Sequence, residues 1–158
     1  DIPVSEISDA LSDFSMTHMR MDIVDCKSVK VINDCYNAAP DSVRAALSVL
    51  GKYDDRKVAI LGDIAALGEY SYKAHYELGA EVVKNGVDFL ITIGENAAHI
   101  ATGAYEQGLD SMYIISAKNV DEALSQILTV IDDKDVILVK ASRVMGLERV
   151  TEFLENNF

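Results

Sequence analysis

VKVINDCYNAAPDSVRAALSVL, residues 29–50, is the stretch that decides the fold of this chain. A mainly apolar run at residues 29–32 predicts a buried strand, and a polar turn follows it. Pro40 then opens a segment whose apolar residues recur at the spacing of one helix face. Asp34 is therefore expected at the carboxyl end of a strand, directly before a helix. In open α/β sheets this edge is where ligands bind.

The same order of strand and helix is predicted for the rest of the chain. Buried strands are expected at residues 57–61, 87–93, 111–115 and 135–139, and helices at residues 40–53, 71–84, 95–107, 120–131 and 146–154. Residues 21–26 are a candidate for a further edge strand. Apolar strands separated by helices of this length are typical of a parallel sheet covered on both faces. We predict a Rossmann-like three-layer α/β domain with a mainly parallel sheet of five or six strands.

The composition excludes several classes of function. The chain has 158 residues, 49% of them apolar, which suits a single domain with an ample core. A net charge of −12 disfavours nucleic acid and anionic membrane surfaces as partners. No apolar run is long enough for a membrane span. Cys26 and Cys35 lack the CxxC spacing of a zinc or redox site, so we expect a reduced, cytoplasmic setting. We also expect the protein to be a monomer.

Polar residues follow three of the predicted strands. They are Asp34 in the turn quoted above, Asp63 in the loop GDIAALGE, and the basic residues of KASR at residues 140–143. An aspartate at a strand end commonly binds ribose hydroxyls, because its carboxylate accepts two hydrogen bonds at once. A lysine or arginine at a neighbouring strand end can hold a phosphate or a carboxylate.

Each of these roles has a structural alternative. Asp34 could cap its own turn through the backbone amides of Asn37 or Ala38, and the basic residues could be ordinary surface charges. The patterns GxxxxGK[ST], GxGxxG, GxSxG and HExxH do not occur in the sequence. Cys35 and His75 are expected to have packing roles.

Four short motifs resemble the C-terminal domain of the Mur ligase family. They are Arg20-Met21, DCYNAAPDS at residues 34–42, LGDIAALGE at residues 61–69 and VKASR at residues 139–143. The resemblance covers residues 15–158, while residues 1–14 look like the end of the family's central, ATP-binding domain. It therefore implies the end of that domain and a hinge at residues 1–20, followed by the C-terminal domain at residues 21–158.

The resemblance implies an ATP- and magnesium-dependent amide ligase of peptidoglycan synthesis in the cytoplasm. In this family ATP phosphorylates a terminal carboxylate, and an amine then displaces phosphate from the acyl phosphate. The motifs match best the members that join D-alanyl-D-alanine to UDP-N-acetylmuramoyl-tripeptide. There the C-terminal domain closes over ATP and helps to bind the dipeptide. Its partners are the central and N-terminal domains of the same polypeptide, which hold most of the ATP and magnesium, so this fragment alone is expected to be inactive.

The resemblance also implies roles for individual residues around the nucleotide. Asp34 matches the family's ribose-contacting aspartate, and Arg20 matches the hinge arginine that reaches the nucleotide. Tyr36 and Asn37, in the same turn as Asp34, are assigned to the nucleotide with them. No catalytic residue and no metal ligand is assigned within this chain.

A second set of residues is assigned to the dipeptide: Lys140, Ser142, Arg143 and Asp63. The basic members suit the carboxylate of D-alanyl-D-alanine, which a closed site must neutralise.

Three positions depart from the family's pattern. Ala39 stands where Asn is usual, Ala66 where Glu is usual, and Ala141 where Gly is usual. An Asn at position 39 would cap the helix that begins at Pro40, so that cap is either missing or replaced.

The competing interpretation is a stand-alone nucleotide-binding regulatory α/β module without catalysis, which would bind ATP tightly by itself. A phosphoacceptor receiver domain is disfavoured, because it needs an aspartate at the end of its third strand. Residues 92–96 at that position are TIGEN.

Overall fold

The computed structural model describes residues 2–12 and 18–158. Residues 13–17, which belong to the predicted lead-in and hinge, lie outside the described residues. A first helix, α1 (Val4–Ser12), precedes the sheet. The strands are β1 (Asp22–Asp25), β2 (Lys30–Asn33), β3 (Lys57–Gly62), β4 (Phe89–Ile93), β5 (Ile114–Ala117) and β6 (Val136–Lys140). The remaining helices are α2 (Pro40–Leu50), α3 (Ser71–Lys84), α4 (Ala98–Glu106), α5 (Val120–Ile127) and α6 (Glu148–Asn157).

The six strands form one sheet in the order β1-β2-β6-β3-β4-β5. All neighbours from β2 to β5 pair in parallel, and β1 pairs antiparallel with β2 at the edge. This confirms the predicted parallel core of five strands and the short edge strand. The last strand of the chain, β6, therefore lies in the interior of the sheet, between β2 and β3.

Helices cover both faces of the sheet, as predicted. Alternate strand residues point to opposite faces, so Val31 and Ile60 join one core while Ile32 and Leu61 join the other. The first of these cores is completed by α5 and α6, and the second by α2, α3 and α4. Burial on both faces explains why the inner strands are apolar at consecutive positions instead of alternating with polar residues.

Two element boundaries differ from the predicted ones for an identifiable reason. The strand predicted from residue 111 begins at Ile114, because the three residues before it form a single 3₁₀ turn. Asp110 caps that turn by accepting a hydrogen bond from the Met112 amide at 3.0 Å. The helix predicted from residue 95 begins at Ala98, and the Asp63 carboxylate accepts from the amide of Ala97 directly before it. A side-chain cap therefore accounts for the turn before β5, while a distant carboxylate binds the backbone just before α4.

Helices α3 and α4 approach each other closely through two glycines. A Cβ added at Gly79 would collide with the backbone of Gly103 and Ala104, and one added at Gly103 would collide with the carbonyl of Tyr76. Neither neighbour can rotate out of the way, since the atoms concerned are backbone.

We expect Gly79→Ala to lower the free energy of unfolding by about 2 kcal/mol, because the overpacking outweighs the gain in helix propensity. Urea denaturation of the purified chain measures this difference. Ser48→Ala, at an exposed position of α2, is the control and should change stability by less than about 0.5 kcal/mol. Equal stability of the Gly79 variant and the wild type would contradict the close packing of α3 on α4.

Candidate functional site

A cleft of about 530 Å³ opens at the carboxyl edge of the sheet. Its walls are Arg20 and Met21 of the segment at residues 18–21 (the hinge segment, after the role predicted for Arg20), the turn that joins β2 to α2, one face of α2, and Lys140. Asp34 lies in this turn, at the edge of the sheet where its sequence position placed it. All four residues assigned to the nucleotide, Arg20, Asp34, Tyr36 and Asn37, line the cleft.

Asp34 and Lys140 are partners at the ends of neighbouring strands. The parallel register pairs Asn33 of β2 with Val139 of β6, so the next residue of each strand lies side by side. Lys140 Nζ donates a hydrogen bond to Asp34 Oδ2 at 2.6 Å and another to the carbonyl of Asn37 at 2.9 Å. The side chains are 2% exposed for Lys140 and 13% for Asp34, which makes this a largely desolvated ion pair.

The other oxygen of Asp34 binds the hinge. Asp34 Oδ1 accepts a hydrogen bond from the Met21 amide at 3.1 Å. Neither the Asn37 nor the Ala38 amide donates to this carboxylate among the described residues, so the turn-capping alternative does not describe it. The aspartate instead joins three segments that are distant in sequence: the hinge, the β2–α2 turn and the end of β6.

The hinge has an unusual backbone on either side of Arg20. Met19 and Met21 have φ of 61° and 51°, in the left-handed region that costs most residues about 1 kcal/mol. The Arg20 guanidinium lies 4.2 Å from the centre of the Tyr36 ring, and the Tyr36 amide donates to the Met19 carbonyl at 3.1 Å. Contacts with the β2–α2 turn therefore offset the strain and hold Arg20 at the mouth of the cleft.

The residues assigned to the dipeptide do not converge on one point. Lys140 is directed at Asp34, as described above. Ser142 is buried, and its hydroxyl accepts a hydrogen bond from the Ala65 amide at 2.9 Å. Arg143 is 51% exposed and pairs with Glu148 at 3.0 Å. Among Lys140, Ser142 and Arg143, the side chain of Arg143 is the most accessible to a ligand.

Asp63 has a structural task in the loop between β3 and α3. Its Oδ1 accepts from the Ala97 amide at 2.7 Å, and its Oδ2 accepts from the Asn96 side chain at 3.1 Å. The Ser71 hydroxyl in turn donates to Asn96 at 2.9 Å, so this chain of hydrogen bonds links the loop to the start of α4. The sequence interpretation missed Asn96, although the polar end of TIGEN after a buried strand was a signal for it.

His75 and Cys35 have the packing roles expected of them. His75 is fully buried; its Nε2 accepts from the Ile64 amide at 3.0 Å, and its Nδ1 donates to the Ser71 carbonyl at 2.8 Å. Cys35 is also buried, and burial raises the pKa of its thiol to about 11. The thiolate that a nucleophile requires is therefore scarce near neutral pH.

The start of α2 shows how the chain manages without Asn at position 39. Ala39 is the N-cap residue and has the extended backbone of a cap, with φ −136° and ψ 154°. Ser42 Oγ accepts a hydrogen bond from the Ala39 amide at 3.0 Å. In a capping box, this is the bond between the side chain in the first turn of the helix and the backbone of the cap residue. The usual forward bond, from a cap side chain to the first turn of the helix, has no counterpart at an alanine.

Residues 2–12 and 18–158 contain neither a cluster of metal-ligating side chains nor a helix suited to span a membrane. No group of three or more His, Cys, Asp or Glu residues in this part of the chain could hold a metal ion. None of the helices described there has the length and apolar character needed to cross a bilayer.

The fold and its cleft define a Rossmann-like α/β domain with an open cleft at the carboxyl edge of a parallel sheet. The chain belongs to the Mur ligase family: the family model described as "Mur ligase, glutamate ligase domain" matches residues 19–143.

Two curated relatives carry the name UDP-N-acetylmuramoyl-tripeptide–D-alanyl-D-alanine ligase. The one from Bacillus subtilis is 32% identical over 97% of this chain, and the one from Escherichia coli is 31% identical over 80% of it. The matches cover 34% and 27% of these relatives. The chain thus spans about a third of the length of the curated relatives it matches.

Solved structures of similar proteins agree with this assignment. MurF from Acinetobacter baumannii superposes with a TM-score of 0.86 and 25% identity, over 99% of this chain and 34% of that one. MurF ligase from Thermotoga maritima, in a crystal structure in complex with ADP, superposes with a TM-score of 0.76 and 27% identity, over 92% of this chain and 32% of that one.

Because the forward half of the α2 cap is missing, Ala39→Asn should raise the free energy of unfolding by about 1 kcal/mol. Thermal or urea denaturation of the chain tests this. The same substitution at Ala45, an exposed position inside α2, should lower stability through reduced helix propensity. The cap account is wrong if both variants change stability in the same direction.

Proposed function

We propose that this chain is the C-terminal domain of an ATP-dependent amide ligase of cytoplasmic peptidoglycan synthesis, which joins D-alanyl-D-alanine to UDP-N-acetylmuramoyl-tripeptide. The observation that carries the proposal is the cleft at the carboxyl edge, which both Asp34 and Arg20 line. The names of the relatives supply the substrates, and the ADP complex of a neighbouring structure supports a nucleotide.

In this proposal the cleft is one half of an ATP site. Each carboxylate oxygen of Asp34 has one protein donor, and a carboxylate offers about four acceptor positions, so room remains for the ribose hydroxyls. Arg20 has no carboxylate partner among the described residues and suits the anionic end of the nucleotide. Tyr36 and Asn37, both exposed at the cleft, complete the half-site.

The other half of the ATP site is proposed to lie in the central domain of the same polypeptide, with the N-terminal domain binding the UDP end of the second substrate. Since residues 2–12 and 18–158 contain no cluster of acidic ligands, Mg²⁺ is assigned to the central domain as well. Transfer of a phosphoryl group is catalysed mainly by positioning and by charge around the phosphates. This chain alone is therefore proposed to have no ATP turnover.

The dipeptide is proposed to bind beside the loops that follow β3 and β6. Arg143 is the candidate contact for the carboxylate of D-alanyl-D-alanine, since its guanidinium is accessible and can exchange Glu148 for a substrate anion. Ser142 and Asp63 are proposed to shape this side of the site, because their side chains hold the loop from residue 63 to residue 71 in place.

In the full-length ligase, Asp34→Asn should lower kcat/KM for ATP about tenfold to a hundredfold, which is the loss of roughly 1–3 kcal/mol in hydrogen bonds to ribose. Steady-state kinetics with ATP varied measures this. The control is Asp25→Asn, which removes a carboxylate from the edge strand and should leave the kinetics unchanged. A lowered melting temperature with unchanged ATP kinetics would make Asp34 purely structural, and tight ATP binding by this chain alone would favour the regulatory module.

Arg143→Ala in the same enzyme should raise KM for D-alanyl-D-alanine far more than KM for ATP, because it removes the charge proposed to face the dipeptide carboxylate. Arg149→Ala is the matched control, as Arg149 is similarly exposed and is paired with Asp121 of α5. Equal changes in both KM values would count against this role for Arg143.

A further inference from the structure

We infer that Lys140 is a positioning residue of the nucleotide half-site, which acts through Asp34, and that it does not contact the dipeptide. This inference rests on the proposed function, in which Asp34 binds the ribose. It replaces the assignment from the sequence, in which Lys140 neutralises the carboxylate of D-alanyl-D-alanine.

The burial of Lys140 argues against contact with a substrate. Its side chain is 2% exposed, and its ammonium donates to the Asp34 carboxylate and to the Asn37 carbonyl. A dipeptide carboxylate would have to displace Asp34 from a partly desolvated pair, and it would leave that aspartate buried without its counter-charge. Breaking such a pair is costly, whereas Arg143 offers an accessible cation nearby.

The geometry of the pair explains how Lys140 positions the aspartate. Lys140 binds Oδ2 and the Met21 amide binds Oδ1, so the carboxylate is held at both oxygens and cannot rotate freely. The remaining acceptor positions are then available on the cleft side. The second bond of Lys140, to the Asn37 carbonyl, holds the same turn that carries Tyr36. One ammonium thus orients both the ribose acceptor and the turn around it.

The charge of Lys140 has a second effect on the cleft. The charged side chains that line it with Lys140 are Asp34 and Arg20. Because Lys140 compensates Asp34, Arg20 gives this part of a strongly acidic chain a net positive charge. Removing Lys140 would leave an uncompensated carboxylate facing an anionic nucleotide, so its loss should weaken ATP binding through repulsion as well as misorientation.

The test uses the full-length ligase and the pair of substrates ATP and 2′,3′-dideoxy-ATP, which lacks both ribose hydroxyls. The wild type should prefer ATP by roughly tenfold to a hundredfold in kcat/KM. Lys140→Met should bring this preference close to one while leaving KM for D-alanyl-D-alanine unchanged. Lys30→Met is the matched control: it removes the lysine of the Lys30–Asp25 pair, 2.5 Å apart on the edge of the sheet, and should keep the wild-type preference.

A double-mutant cycle separates action through Asp34 from independent action. If Lys140 works through Asp34, Asp34→Asn combined with Lys140→Met should lose no more of the preference for ATP than either single variant. Full additivity of the two losses would overturn the inference.

The remaining outcomes each identify one failure. A wild type without preference between the two nucleotides would overturn the ribose role of Asp34, and the inference with it. A wild-type preference that survives in Lys140→Met would overturn the inference alone, as would a raised KM for the dipeptide in that variant.

A measurement on the wild type covers the case in which Lys140→Met does not fold. The ¹⁵N signal of the Lys140 ammonium in the labelled ligase should shift on addition of ADP and stay unchanged on addition of D-alanyl-D-alanine. The reverse pattern would overturn the inference.

Discussion

The position of β6 between β2 and β3 is the constraint on which the site depends. The residues at the end of this strand bond to both neighbouring loops: the Val139 carbonyl accepts the Asp34 amide at 2.9 Å, and the Ser142 amide donates to the Asp63 carbonyl at 3.0 Å. The last strand of the chain therefore holds in place the two loops that carry Asp34 and Asp63, two of the candidate site residues. Because these bonds begin in a buried sheet, the site has a rigid base.

Two aspartates that look alike in the sequence have different surroundings at this edge. Both carboxylate oxygens of Asp63 accept hydrogen bonds, one from the Ala97 amide before α4 and one from the Asn96 side chain. Asp34 has a lysine and a single amide as donors and remains partly exposed at a cleft. The difference follows from what each side chain contacts: that of Asp63 contacts the loop after β4, whereas that of Asp34 contacts Lys140 of β6 and the Met21 amide. A carboxylate whose acceptors are occupied stabilises the fold, and one with acceptors to spare can also bind a ligand.

Much of the fold could be predicted from the residues alone. The consecutive apolar positions of the strands and the length of the helices between them indicate a parallel sheet with helices on both faces, and α3 occupies the predicted residues 71–84. Several predicted boundaries differed by a few residues, and two of them, at Ile114 and Ala98, lie beside hydrogen bonds of the Asp110 and Asp63 side chains. The first of these is a local cap that sequence could have revealed. The second comes from a residue more than 30 positions away, so periodicity carries no sign of it.

By itself the sequence determined the class of fold, the family and the edge of the sheet where Asp34 lies. These properties follow from motifs and apolar patterns formed by residues that are close together in the chain. Only the tertiary structure decided which side chains meet there. Lys140 and Asp34 are 106 positions apart, and their contact depends on β6 inserting beside β2 in a particular register. Strand order is a property of the packed sheet, because strands from both halves of the chain could pair with the same neighbouring strand. The roles of Lys140, Ser142 and Asp63 therefore became visible only once that order was known.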